Sequence, residues 1–127
     1  MSRISAMLAS LCLASCALFA RVDGGDTDLA QAADQVALFG QDIADLAPLA
    51  KPQTAVLIEE LLIYVGRAEA ALRAAGMGGR IADADAALDA ALAFADVVLD
   101  QVDPDSDLRV AVAAARIVLR HARELTQ

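Results

Sequence analysis

The chain has 127 residues, enough for one domain, and 58% of them are hydrophobic although only 3% are aromatic. Its 18 acidic and 10 basic residues give a net charge of −8, which argues against nucleic acid as a partner because phosphate binding needs clustered cations. Alanine, a strong helix former, supplies much of the apolar fraction, and no segment has the alternating pattern of a strand, so we predict an all-α fold.

The first element along the chain is an apolar segment that begins directly after Arg3. Residues 4 to 20 carry no charge and are rich in Ala, Leu and Ser. A basic start followed by such a segment is typical of a secretory signal, and the segment is short and weakly apolar for a membrane-spanning helix. Ordinary cleavage after Ala20 would place Leu18 at position −3, where small residues are preferred.

The four residues Leu13-Ala14-Ser15-Cys16 close the core of this apolar segment. They resemble the lipobox of bacterial lipoproteins, in which a Leu and two small residues precede a Cys. The resemblance implies that residues 1–15 are removed as a lipoprotein signal peptide. It also implies that Cys16 receives a diacylglycerol, that its new amino terminus is acylated, and that the acyl chains anchor the protein in a membrane.

The residues around the lipobox leave other interpretations open. Residues 17 to 20 are still apolar, which is compatible with an uncleaved anchor, and an ordinary signal peptide or a segment of the fold are the further alternatives. Ala17 follows the Cys in place of Asp, which by resemblance to the enterobacterial sorting rule favours the outer membrane over the inner one. Cys12 and Cys16 lack further ligands for zinc, and their spacing rarely suits a disulfide.

Residues 16–28 are predicted to be the acylated Cys and a flexible acidic tether, because the run RVDGGDTD has no periodicity. From residue 29 to 127 the apolar residues recur at alternating steps of three and four, which predicts four helices. The predicted spans are about 28–49, 53–75, 81–102 and 103 to the C-terminal region. The last helix is predicted to start with Asp103 as N-cap and Pro104 at the first helical position.

Four helices of similar length joined by short connections predict an antiparallel up-down four-helix bundle. The third predicted helix is rich in Asp and the fourth in Arg, which favours their pairing in one register. A helical hairpin pair that completes its bundle only on dimerisation is the alternative architecture.

The sequence contains no pattern that predicts a catalytic, cofactor or metal site. His121 is the only histidine and has no partner motif for haem or a di-iron centre. The run DPDSD, residues 103 to 107, has alternating carboxylates but lacks the later Gly and Glu of a calcium loop, and helix capping explains it. We therefore predict a protein that is not an enzyme, with no cofactor and no metal.

Several apolar residues lie beside the predicted core rows and exceed what a minimal bundle needs. They are interpreted either as a wide core face or as a contact surface for a protein partner or a second copy. The second helix is the best candidate for such a surface. The apolar residues beside the core rows, on the second to fourth predicted helices, are Val56, Ile63, Tyr64, Phe94, Val97, Val110 and Ile117.

The resulting hypothesis is a small periplasmic lipoprotein with a helical bundle that binds or scaffolds a protein partner. Two alternatives remain at this point. One is a bundle that carries a ligand or cofactor in a cavity lined by small side chains. The other rests on the general outline of the chain, which resembles small prophage-encoded lipoproteins of lysis regions.

Overall fold

The computed structural model describes the backbone of residues 25–127 and the side chains from residue 28 onward. The predicted signal peptide 1–15, the predicted lipidation site Cys16 and the following residues 17–24 lie outside the described residues. Cleavage and lipidation therefore stay predictions.

The described part of the chain is an all-α four-helix bundle, as the periodicity predicts. A short 3-10 turn, Ala47–Leu49, follows the first helix. The helices are α1 (Gly25–Leu46), α2 (Pro52–Gly76), α3 (Ile81–Gln101) and α4 (Asp107–Leu125).

The helices form a closed ring in which α1 and α3 each pack against both α2 and α4. Ion pairs give the directions of neighbouring helices: Arg73 near the end of α2 contacts Asp34 in the first half of α1. Arg123 near the end of α4 contacts Asp85 near the start of α3. Adjacent helices thus run antiparallel, and one chain closes the bundle without a second copy.

The core consists of small and medium aliphatic side chains, which allows the helices to pack closely. The predicted core row of α2 is buried along its whole length, from Ile58 to Ala75. The core rows predicted for the first and last helices, α1 and α4, agree less well with the structure, because Phe39 is only half-buried and Leu125 is exposed. Conversely, Ala33 and Val112 are fully buried although they lie one residue away from the predicted rows.

The boundaries of α1 differ from the prediction at both ends. Its first residue is Gly25, so the last four residues of the predicted tether 16–28 are helical and the bundle begins before residue 29. At the other end the α-helix stops at Leu46 and not at Leu49. Pro48 explains this end, because proline lacks an N–H and disfavours α conformation in the residue before it.

The start of α4 corrects the prediction that Asp103 is its N-cap. The helix begins at Asp107, and the cap is Ser106, whose Oγ accepts a hydrogen bond from the Arg109 N–H at 3.2 Å. The same hydroxyl donates to the Asp103 carbonyl at 2.8 Å. Residues 103 to 106 therefore form a turn that precedes the helix, since the Ser106 N–H also bonds to Asp103 O at 3.1 Å.

The connection between α2 and α3 depends on two glycines. Gly79 N–H bonds to Ala74 O at 2.7 Å and Gly78 N–H to Ala75 O at 3.3 Å, the pattern of a Schellman motif. Gly78 has φ 92°, a left-handed conformation that favours glycine. A Cβ on Gly79 would lie 2.6 Å from Ala74 O, so both positions require glycine.

Candidate interaction surfaces

The first candidate surface is the outer stripe of α2, formed by Val56, Ile63 and Ala70. These residues are seven apart and therefore follow one line along the helix, on the side away from its buried row. Val56 is 64% and Ile63 55% exposed. Polar residues normally occupy the outermost positions of a bundle helix, so an apolar stripe is unusual there.

Charged side chains flank the outer stripe in an asymmetric order. Glu59 and Glu60 lie between Val56 and Ile63, whereas Arg67 and Glu69 lie between Ile63 and Ala70. Glu69 is paired with Arg73 on the same helix. The other three charges, Glu59, Glu60 and Arg67, form no ion pair with a residue that the structure describes.

Two further features affect how closely another molecule can approach α2. The guanidinium carbon of Arg67 lies 5.9 Å from the centroid of the Tyr64 ring, a cation–π geometry that keeps this cation beside the stripe. Gly66 is exposed on the same helix, and a Cβ built on it would have no atom within 4 Å. Because Gly66 has no side chain, there is room beside Ile63 for a second helix to pack against α2.

The aromatic residues predicted with this surface occupy a different place. Tyr64 and Phe94 are half-buried, and both pack against the core. Their ring centroids are 5.1 Å apart with an interplanar angle of 32°. This pair joins α2 to α3. The two rings therefore belong to the packing between these helices and not to the exposed outer stripe.

The remaining predicted contact residues do not all join the α2 surface. Val97 is 46% exposed on α3, the helix next to α2. Val110 and Ile117, each 68% exposed, lie on α4, which stands diagonally across the ring from α2. The structure thus separates the seven predicted residues into an α2–α3 group and an α4 pair.

The boundary between α3 and α4 carries the charges that predicted their pairing. Arg116 bonds to Asp96, and Arg123 contacts both Asp85 at 3.4 Å and Asp89 at 3.1 Å. All of these side chains are partly exposed to solvent, so the pairs select the register more than they stabilise the fold. These cations are neutralised within the chain, which leaves little unpaired charge for a ligand.

A comparable contact joins α1 and α2. The guanidinium of Arg73 lies 2.9 Å from Asp34 and 3.2 Å from Glu69. Hydrogen bonds to these two carboxylates raise the pKa of Arg73 above its ordinary value. Arg73 is therefore a permanent cation that links two helices.

The second candidate surface is a cavity at the end of the bundle where α1 meets α2 and α3 meets α4. Its volume is about 390 Å³. Apolar side chains such as Leu46, Leu57 and Leu108 line it, together with Thr54. At its rim Lys51 Nζ lies 3.4 Å from Asp103 Oδ2. The sequence did not predict a cavity at this end, because its walls come from two connections that are distant in the chain.

The side chains that could ligate a metal are dispersed over the bundle. Among the side chains that the structure describes, from residue 28 to 127, no three His, Cys, Asp or Glu come together as metal ligands. His121 Nδ1 lies 3.9 Å from Glu124, and both side chains are exposed. No helix in the described range combines the length and the apolar character that crossing a membrane requires.

The chain was compared with protein-family models, with curated proteins and with solved structures. None of the three comparisons gives a match.

Proposed function

We propose that this chain is a non-enzymatic helical module that binds or scaffolds a protein at the bacterial cell envelope. Acyl chains on Cys16 tether it to a membrane, preferably the outer one, and the bundle faces the periplasm. The outer stripe of α2 is the docking surface. Nucleic acid is not a partner, since the net charge of −8 opposes phosphate binding.

The observation that carries the docking function is the exposure of Val56 and Ile63 on a helix whose inner face is already buried. The core does not need these side chains, because the α2 row from Ile58 to Ala75 is complete without them. Exposed apolar patches of this kind are typical of protein contact sites. The flanking carboxylates and Arg67 add the charge pattern that selects a partner.

The tether is supported by the resemblance of Leu13-Ala14-Ser15-Cys16 to a lipobox. Its test is the intact mass of full-length gene product extracted from membranes of an expressing bacterium. From the lipobox resemblance we expect loss of residues 1–15 and an added acyl mass on Cys16. The added mass should correspond to more than one acyl chain, because a single chain anchors a protein only weakly. Cys16→Ser serves as the control and should yield no acylated form. An unmodified full-length chain would refute the tether and favour the uncleaved anchor.

The docking surface is tested by Ile63→Asp in the full chain. We expect this change to abolish crosslinking of the chain to its protein partner in intact cells, because it places a charge at the centre of the apolar stripe. Ile117→Asp on α4 is the matched control, since Ile117 is 68% exposed and lies outside the stripe. Equal crosslinking of both variants and the parent chain would contradict a role for α2.

The end cavity supports a second candidate function, the carrying of a small ligand. A volume of about 390 Å³ falls within the range of small-molecule sites, and its mixed apolar and polar lining suits an amphipathic molecule. The same mass measurement, repeated under native conditions, distinguishes the two functions. A bound small molecule that is lost in Leu57→Arg would favour the carrier; a ligand-free chain would favour the docking module.

A further inference from the structure

We propose that the occupant of the outer stripe is the α2 helix of a second copy, docked antiparallel about a two-fold axis beside Ile63. This inference rests on the proposed function, because it takes the same surface and names its partner. It specifies an isologous contact, in which the same residues of both copies meet.

The charge order along α2 supports the antiparallel direction. The carboxylates Glu59 and Glu60 precede Ile63, and the cation Arg67 follows it at a similar distance. An antiparallel copy centred on Ile63 reverses this order, so Glu60 of each copy faces Arg67 of the other. A parallel copy would instead place carboxylate against carboxylate, which is unfavourable.

The side-chain sizes along the stripe follow the same symmetry. Reversal about Ile63 places the larger Val56 of one copy opposite the smaller Ala70 of the other. Ile63 meets its own copy at the axis. Gly66, which has open space around it, lets the two backbones approach closely on one side of the stripe. On either side of the axis, the larger residue of one copy thus opposes the smaller residue of the other.

The three charges involved are available for this contact. Glu59, Glu60 and Arg67 form no ion pair with a described residue, whereas Arg73, Arg116 and Arg123 are all engaged within the chain. The stacking of Arg67 on Tyr64 holds its guanidinium near the stripe. The symmetric contact completes two salt bridges without breaking one inside the bundle.

The test uses two full-length variants with different C-terminal tags, extracted from membranes in detergent. Glu60→Arg alone brings two cations together at both ends of the contact, and Arg67→Glu alone brings two carboxylates together there. We expect each single variant to raise the dissociation constant for self-association by about tenfold, because like charges then face each other.

The mixture of the two variants decides the question. In a mixed antiparallel pair, one end of the contact joins the Arg introduced at position 60 of one chain to the Glu introduced at position 67 of the other. The other end joins the original Arg67 to the original Glu60. Each end therefore holds one cation and one carboxylate, so we expect the two variants to associate with each other about as tightly as two parent chains do.

A second restoring variant is the double change Glu60→Arg with Arg67→Glu in one chain. Its antiparallel contact again joins opposite charges at both ends, so we expect co-purification and sedimentation to return close to the parent values. Arg120→Glu on α4 is the control for a changed charge alone and should leave self-association unaltered. Far-ultraviolet circular dichroism of each variant reports whether the fold is intact.

Two results would overturn the inference. One is a parent chain that sediments as a monomer at every concentration reached in detergent. The other is a double variant that associates no better than the single variants. In either case, loss of a different crosslinked protein in Ile63→Asp would still support the proposed docking function, so the two failures are distinguishable.

Discussion

At the scale of single residues, two glycines inside helices have opposite environments. Gly66 lies exposed in α2, and a Cβ there would meet nothing within 4 Å. Gly40 is buried in α1, where a Cβ would lie 3.0 Å from Val65 Cγ1. Glycine weakens a helix wherever it stands, but inside the bundle Gly40 allows a close approach of two helices in return and Gly66 does not.

Gly66→Ala is therefore expected to stabilise the bundle by about 1 kcal/mol, since alanine restricts the unfolded chain and favours the helix. Denaturant unfolding of the full chain in detergent measures it, at concentrations below those at which the chain self-associates. A free energy of unfolding that falls on this change would contradict the open environment of Gly66.

Gly40→Ala provides the matched comparison. The same gain in helix propensity is offset by overpacking against Val65, which costs roughly 1–3 kcal/mol in a packed core. We expect Gly40→Ala to be at least about 1 kcal/mol less favourable than Gly66→Ala. Equal effects of the two substitutions would mean that α1 and α2 are not in close contact at this point.

At the scale of elements, the start of α4 shows how a side-chain bond selects a helix boundary. An acidic residue followed by proline is a common start, and Asp103-Pro104 has that pattern. Ser106 forms the cap in its place, because its hydroxyl bonds both to Asp103 O and to Arg109 N–H. Asp103 instead contacts Lys51 across the end of the bundle.

Ser106→Ala is expected to lower the free energy of unfolding by about 1 kcal/mol, the usual cost of losing an N-cap. Asp103→Ala is the matched control and should cost less than about 0.5 kcal/mol, because its exposed contact with Lys51 is weak. Thermal unfolding of both variants measures the difference. A larger loss of unfolding free energy in Asp103→Ala than in Ser106→Ala would indicate that Asp103 is the N-cap.

At the scale of the whole molecule, the antiparallel order gives the bundle two chemically different ends. One end holds the start of α1, the α2–α3 turn at Gly78 and the end of α4. The opposite end holds the two longer connections and the cavity rimmed by Lys51 and Asp103. With the proposed tether entering at Gly25, the cavity lies at the end away from the attachment point and the outer stripe of α2 runs between the two ends.

Local periodicity was sufficient to predict the all-α class, four helices and most of the core. Every residue predicted for the α2 row is buried, although buried Thr54 was missed, and the α3 row agrees except at the exposed Ile81. The reason is that spacing of three and four along one helix depends only on nearby residues. The antiparallel direction of neighbouring helices followed from the short connections. Closure of the ring within one chain did not, because a hairpin pair that dimerises has the same connections, and the contact of α1 with α4 decides it. Charge order also predicted the α3–α4 pairing that Arg116 and Asp96 form.

The candidate site depended on the rotation of each helix about its axis, which neighbours distant in the chain decide. Val56 and Tyr64 were equal candidates in the sequence, yet one is exposed and the other packs on Phe94. Only the packed bundle separates the α4 pair from α2 and forms the end cavity from two connections. The physical reason is that periodicity within one helix predicts its buried row, whereas the exposure of the residues beside that row depends on how far the neighbouring helices cover them.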